Sequence, residues 1–162
     1  MSAISTDTTT LDFGVISDDP TCADITILST SQVYVLTCNS ITESANKTTK
    51  DEENEVLTKI NSYCKRFHVQ GGANAGAQNN QSLVSNLDNL QSALLHLTFP
   101  NVPLPLSQSL HQFEVAQLMN LLSLNSTVEE VESLIPSIRR IGREGVETVL
   151  EMVRRSLERL MG

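Results

Sequence analysis

The residue types that most often carry chemistry are sparse in this chain and lie far apart. Its three histidines, His68, His96 and His111, have neither the i, i+4 pairing nor the cysteine neighbours of a metal site. The glycines at positions 71, 72 and 76 follow a predicted helix rather than a strand, and no Gly-Lys-Ser/Thr sequence ends the run, so a phosphate-binding loop is not predicted. We therefore expect no catalytic centre, no metal and no cofactor.

The cysteines favour a reducing compartment. Cys22, Cys38 and Cys64 are odd in number and lack the spacing of a disulfide framework or a metal site. Cys64 stands beside Lys65 and Arg66, whose charges could lower the pKa of its thiol. Because no histidine is placed to reach Cys64, we favour a half-buried structural cysteine.

The composition predicts a helical core without a DNA-binding surface. Hydrophobic residues make up 40% of the 162 residues, but aromatic residues only 4%, so the core must come from Leu, Val and Ile. The net charge is −8, and this acidity argues against a chain that binds duplex DNA alone, because phosphate neutralisation needs a basic face. Six of the seven arginines lie between positions 139 and 159. We interpret them as a solvated helix face, with a docking surface for an acidic partner or RNA as the alternative.

No targeting or membrane segment is predicted. No apolar run reaches transmembrane length, and residues 1–10 lack the charged-then-apolar order of a signal peptide. The cytosol and the nucleus both remain open.

The first half of the chain reads as a tail followed by an arm. Residues 1–20 are rich in Ser, Thr and Asp and predict a disordered acidic tail. Residues 21–70 form the arm, in which Ile25 and Ile27 alternate with polar residues as in a strand. The Ser/Thr run at 29–31 could instead cap a short helix, so strand and helix both remain open for this part.

A polar linker and the first long helix complete the arm. Residues 39–50 are polar and predict the linker, and residues 51–68 predict the helix. Its apolar residues Val56, Ile60, Tyr63 and Phe67 fall on one face by their i, i+4, i+7 and i+11 spacing. Glycines and amides at 71–81 then predict a flexible loop.

Residues 82–162 predict an all-α bundle. A leucine stripe between Leu83 and Leu97 predicts its first helix, and three prolines between 100 and 105 predict an extended connector. Capping-box patterns predict helix starts at Ser109 with Gln112 and at Ser126 with Glu129, and a clean amphipathic helix follows residue 145. Phe113 is expected in the core. The fold class is therefore mainly α, with a short N-terminal strand/helix arm and a C-terminal helical bundle.

Four segments, in order, resemble the family of the fourth subunit of RNA polymerase II. Residues 28–36 are similar to its Leu…Ser-Glu-Val…Leu-Leu segment, with Gln32 in place of the acid, and residues 63–67 to its Tyr-x-x-Arg-Phe signature. Residues 110–118 are similar to its Leu-x-x-Phe-Glu-x-Ala-x-Leu motif, and residues 129–138 to its acidic segment that ends in Leu-Ile-Pro-Ser-Leu. The family's Cys-Pro is replaced by Leu122-Ser-Leu124, and its acidic stretch by an arginine-rich one at 139–145.

The resemblance implies a non-catalytic stalk subunit in the nucleus. Such a subunit forms a heterodimer with the seventh subunit, of OB-fold type, joins the polymerase core, and acts in transcription initiation and transcript fate. The bundle is then expected to be HRDC-like, and RNA contact to be weak and made through the complex. The partner is expected to contact apolar residues of the arm: Ile27, Leu28, Val33, Tyr34, Leu36, Ile60, Tyr63 and Phe67.

Two alternatives remain open at this point. The equivalent stalk subunit of RNA polymerase III or of an archaeal polymerase shares the helical domain. A helical adaptor outside transcription would instead bind other helices through the stripe at 83–97 and the arginine-rich tail. Co-purifying proteins distinguish these alternatives.

Overall fold

The computed structural model describes residues 26–45, 53–67, 80–103, 106, 108–121 and 123–161. Within these ranges the chain is mainly helical, as predicted, and its only β pairing is an isolated bridge between Thr98 and Ser109. The helices are α1 (Thr30–Ala45), α2 (Glu53–Cys64), α3 (Asn80–Leu95), α4 (Gln112–Leu121), α5 (Val128–Leu134) and α6 (Gly142–Met161), with a 3-10 helix at Pro136–Ile141 before α6.

The arm differs from its prediction in two places. Residues 26–29 are not a strand, and helix α1 follows directly, which settles the choice between strand and helix for residues 30–36. Helix α1 also continues to Ala45, so the first part of the predicted linker at 39–50 is helical. The predicted tail at 1–20 and the loop at 71–79 lie outside the described residues, whereas positions 80 and 81, predicted as loop, belong to α3.

One continuous apolar core joins α3 to α6. The leucine stripe of α3 supplies Leu87, Leu90 and Leu94, all buried, with Leu83 and Leu97 packed at its edge. The stripe of α6 supplies five buried residues, as its periodicity predicts: Val146, Val149, Leu150, Val153 and Leu157. The remaining core members come from the connector, α4, α5 and the 3-10 helix: Phe99, Val102, Leu110, Val115, Leu118, Met119, Val128, Val131, Ile135, Ile138 and Ile141.

The capping residue of helix α4 lies two positions beyond its prediction. His111, not Ser109, is the capping residue, because its Nδ1 accepts from the N–H of Phe113 at 3.1 Å. Glu114 closes a capping box by accepting from the N–H of His111 at 2.9 Å. Phe113 is only half-buried, and the fully buried side chain of this turn is Glu114. The expectation that Phe113 lies in the core is therefore wrong.

The burial of Glu114 requires a cation, and Arg140 supplies it. The two side chains are 0% and 5% exposed, and guanidinium nitrogens lie 2.5 Å and 2.7 Å from the two carboxylate oxygens. Arg140 also donates to the backbone carbonyls of Ser109 and Ser137, and the Ser137 hydroxyl donates to Glu114. A buried ion pair is tolerated only when its remaining hydrogen-bonding groups are also satisfied. This pair joins the connector, α4 and the 3-10 helix.

The capping residue of α5 lies one position beyond its prediction. Thr127 accepts from the N–H of Glu130 at 3.2 Å, while Ser126 accepts from the N–H of Ser123 and closes the preceding turn. Pro136 then starts the 3-10 helix, and Gly142, with a φ of 71°, turns the chain into α6.

Candidate partner-binding face

The entry to α1 is a capping box extended by side-chain amides. Ser29 caps the helix, and the Oε1 of Gln32 accepts from the N–H and the hydroxyl of Ser29, both at 2.9 Å. The Nε2 of Gln32 donates to Asp88 at 2.9 Å and to the Oε1 of Gln91 at 2.7 Å, both on α3. We call Ser29, Gln32, Asp88 and Gln91 the amide network. Because the side chain of Gln32 is buried and fully hydrogen-bonded, the network fixes where α1 begins on the bundle.

Helix α4 holds the same segment from its other side. The Oε1 of Gln112 accepts from the N–H of Ile27 at 3.1 Å, and the Oδ1 of Asn120 accepts from the N–H of Thr30 at 2.8 Å. The first backbone donors of a helix have no partner within it. Side chains from another helix therefore satisfy donors at the start of α1, which ties the arm to the bundle.

Helix α2 packs against α1, and Asn61 and Cys64 lie on the side of α2 that faces it. The Nδ2 of Asn61 lies 3.3 Å from the carbonyl of Tyr34, 2.9 Å from Oγ1 of Thr37 and 3.1 Å from Sγ of Cys38. One turn later Cys64 is buried, and burial raises the pKa of its thiol. This shift is opposite to the one that the neighbouring cations would cause, and it agrees with a structural role for this cysteine.

The apolar stripe of α2 faces solvent. Val56, Ile60, Tyr63 and Phe67 are 58%, 40%, 63% and 58% exposed, and we call these four residues the α2 face. The Tyr63 and Phe67 rings contact each other, with centroids 5.1 Å apart. Scattered exposed apolar residues are ordinary, but a contiguous row along a helix is typical of an interaction site.

The eight residues predicted to meet a partner separate into two groups. Leu28, Leu36, Ile60, Tyr63 and Phe67 are exposed, whereas Ile27, Val33 and Tyr34 are half-buried. Val56 was on the predicted helix face but not in the predicted site, and its exposure adds it to the candidate face. Its i, i+4 spacing to Ile60 is the signal that places it there.

The arginines between 139 and 159 do not form one solvated face. Arg140 is buried in the ion pair, and Arg154 donates to the carbonyls of Leu124 and Ser126 at 3.1 Å and 2.7 Å. Both therefore support the fold, which corrects their interpretation as solvated. Arg143 and Arg155 agree with the solvated interpretation, since they are exposed and pair with glutamates one turn away in α6.

The remaining candidates among the described residues are a metal site and a surface groove. Among them, no group of three or more His, Cys, Asp or Glu side chains is arranged to hold a metal ion. An open groove of about 880 Å³ lies between α3 and α6, and it combines apolar side chains with the paired charges of Glu151 and Arg155. None of the helices within the described ranges is long and apolar enough to cross a membrane.

No protein-family model, curated protein or solved structure matches this chain.

Proposed function

We propose that this chain is a non-catalytic stalk subunit of RNA polymerase II that binds the seventh subunit as a heterodimer. The exposed α2 face is the observation that carries the proposal, because an apolar row on a helix needs a covering partner. The four family-like segments, which lie between residues 28 and 138, support the identity of the complex. On this proposal the subunit acts in the nucleus, in transcription initiation and transcript fate, and its bundle is HRDC-like.

The α2 face is large enough to contribute substantially to binding. Complete burial of one Val, Ile or Phe side chain stabilises by roughly 1.5–3 kcal/mol. The four side chains are about half exposed, so covering them would contribute roughly 3–6 kcal/mol before the costs of association. Leu28 and Leu36 of the arm add exposed apolar surface. The heterodimer would therefore depend strongly on these residues.

The charge distribution supports a role in which the partner makes most of the RNA contact. The net charge of −8 disfavours phosphate binding by this chain alone. Two of the clustered arginines are used inside the bundle, which leaves fewer for nucleic acid. Weak RNA contact made through the complex agrees with both observations.

The test is recovery of the complex from cells. The tagged full chain is purified and its partners are identified by mass spectrometry, alongside an Ile60→Asp/Tyr63→Asp variant. We expect the seventh subunit and the polymerase core with the unchanged chain and neither with the variant. The matched control is Leu121→Asp/Leu134→Asp, which alters two exposed leucines outside the α2 face. Recovery of other partners without any polymerase subunit would contradict the proposal.

The second candidate function is a helical adaptor outside transcription. Its predicted surface, the stripe at 83–97, is used inside the bundle, since Leu87, Leu90 and Leu94 are buried. An adaptor would therefore have to use its exposed arginines, such as Arg143 and Arg155, or the α2 face. The identity of the recovered proteins decides between the two functions, and it also distinguishes polymerase II from polymerase III or an archaeal enzyme.

A further inference from the structure

The α2 face has the spacing of a coiled-coil seam. Its residues are separated by four, three and four positions, which is the a/d pattern of a heptad repeat. Helix α2 ends at Cys64, and a tighter turn follows, in which the N–H of Arg66 donates to Tyr63 at 3.1 Å and that of Phe67 to Cys64 at 3.0 Å. This turn keeps the Phe67 ring in contact with that of Tyr63, so the apolar row extends from position 56 to position 67.

The two edges of this seam differ. In the heptad frame, Leu57 and Cys64 occupy one edge, where Leu57 is half-buried and Cys64 is buried. Lys59 and Arg66 occupy the other edge, and both are exposed. Lys59 pairs with Glu55 at 2.7 Å, but both side chains are at least 70% exposed, so a partner can displace this weak bond. The accessible edge is therefore basic.

A second copy of this chain fits the seam poorly. In an antiparallel pair the two basic edges would face each other, and Lys59 of one copy would meet Arg66 of the other. In a parallel pair, the basic edge of one copy would have to contact the Leu57 and Cys64 edge of the other copy. Helix α1 already covers that edge. Like charges across a helix pair are destabilising, so the charge pattern selects a different chain.

We propose that the α2 face binds an amphipathic α-helix of another chain whose flanking positions carry Asp or Glu against Lys59 and Arg66. The apolar row supplies the knobs of the seam, and the basic edge sets the orientation and selects the partner. The inference rests on the proposed function in one respect, that α2 meets a partner chain. It adds the secondary structure and the charge of the element that this partner presents.

The direct test uses the full chain and two synthetic helical peptides. Both carry Leu at the a and d positions, and one has Glu and the other Lys at the flanking positions. Fluorescence anisotropy should show the Glu peptide binding about tenfold more tightly, because the flanking contacts change from attractive to repulsive. Lys59→Glu/Arg66→Glu should reverse this preference, and Tyr63→Asp should abolish binding of both peptides. Circular dichroism verifies that these surface variants remain folded.

Three results would overturn the inference. They are equal binding of the two peptides, binding of neither, and sedimentation of the chain as a dimer that Tyr63→Asp dissociates. Co-expression with the seventh subunit separates this failure from that of the proposed function. If Lys59→Glu/Arg66→Glu leaves recovery of the seventh subunit unchanged, the inference fails and the proposed function stands. If the seventh subunit is never recovered while the peptide selectivity holds, the proposed function fails and the inference stands.

Discussion

Replacing Arg140 by Met tests whether the buried ion pair holds the bundle together. The substitution removes both guanidinium contacts to Glu114, at 2.5 Å and 2.7 Å, and keeps a side chain of comparable length. It leaves the carboxylate with the hydroxyl of Ser137 and the N–H of His111 as partners. It also removes the donor of two backbone carbonyls, including that of Ser109. A buried carboxylate without its cation then remains in the folded state.

The expected loss is large relative to the stability of a small domain. Removing one partner of a buried ion pair costs about 3–5 kcal/mol. This loss is a substantial fraction of the total unfolding free energy of a small domain, which is roughly 5–15 kcal/mol. For a bundle of this size, each kcal/mol lowers the melting temperature by about 4–8 °C, so Arg140→Met should melt at least about 12 °C lower.

Urea denaturation followed by circular dichroism measures the effect, with Arg155→Met as the matched control. Arg155 pairs with Glu151 at 2.8 Å, but both side chains are more than half exposed, so its loss should cost less than about 1 kcal/mol. Adding Glu114→Leu to Arg140→Met should restore part of the stability, because the unpaired charge is removed. The reasoning is refuted if Arg140→Met costs less than about 1 kcal/mol, or if the double variant is less stable than the single one.

Three further predictions concern single contacts. Burial lowers the pKa of His111, so the unfolded chain binds this proton more readily than the folded chain. Stability should therefore fall as the pH drops below about 6.5. Thermal melts of His111→Asn should lose this pH dependence. Gln32→Glu places a carboxylate against Asp88 and should cost about 2–3 kcal/mol of stability in the arm. Amide exchange in α1 should be faster in the variant than in the unchanged chain, while exchange in α6 stays the same. Arg154→Ala removes two bonds to loop carbonyls and should cost about 1–3 kcal/mol in urea denaturation.

Each of these has a result that contradicts it. An unchanged pH dependence in His111→Asn would show that another group titrates in that range. Unchanged exchange in α1 of Gln32→Glu would mean that the amide network does not fix the arm. A stability of Arg154→Ala equal to that of the unchanged chain would restore the interpretation of this arginine as solvated.

Periodicity predicted the helices well because burial of one face is a local property of the sequence. The stripes of α3 and α6, and the common face of Val56 and Tyr63, follow directly from residue spacing. Spacing states which residues share a face but not what covers that face. The core position of Leu90 and the exposure of Ile60 therefore could not be distinguished from the sequence.

The polar contacts were missed because their partners are distant in the chain. Glu114 lies in the first turn of α4, where attraction to the helix dipole already accounts for an acid. Its partner is 26 positions further on, in a run of arginines that is typical of a solvated surface. The Ser/Thr run at 29–31 indicated a possible helix start, but the bonds of Gln32 to α3 span 56 and 59 positions.

The amide network limits how this sequence can diverge. In the family that the segment at 28–36 resembles, an acid stands at the position of Gln32. A carboxylate there could still close the capping box with Ser29, but it could not donate to Asp88 or Gln91. Substitution at position 32 is therefore coupled to substitution on α3. We expect chains with Glu at this position to carry a donor such as Lys, Arg or Asn at position 88, so that the pair changes together.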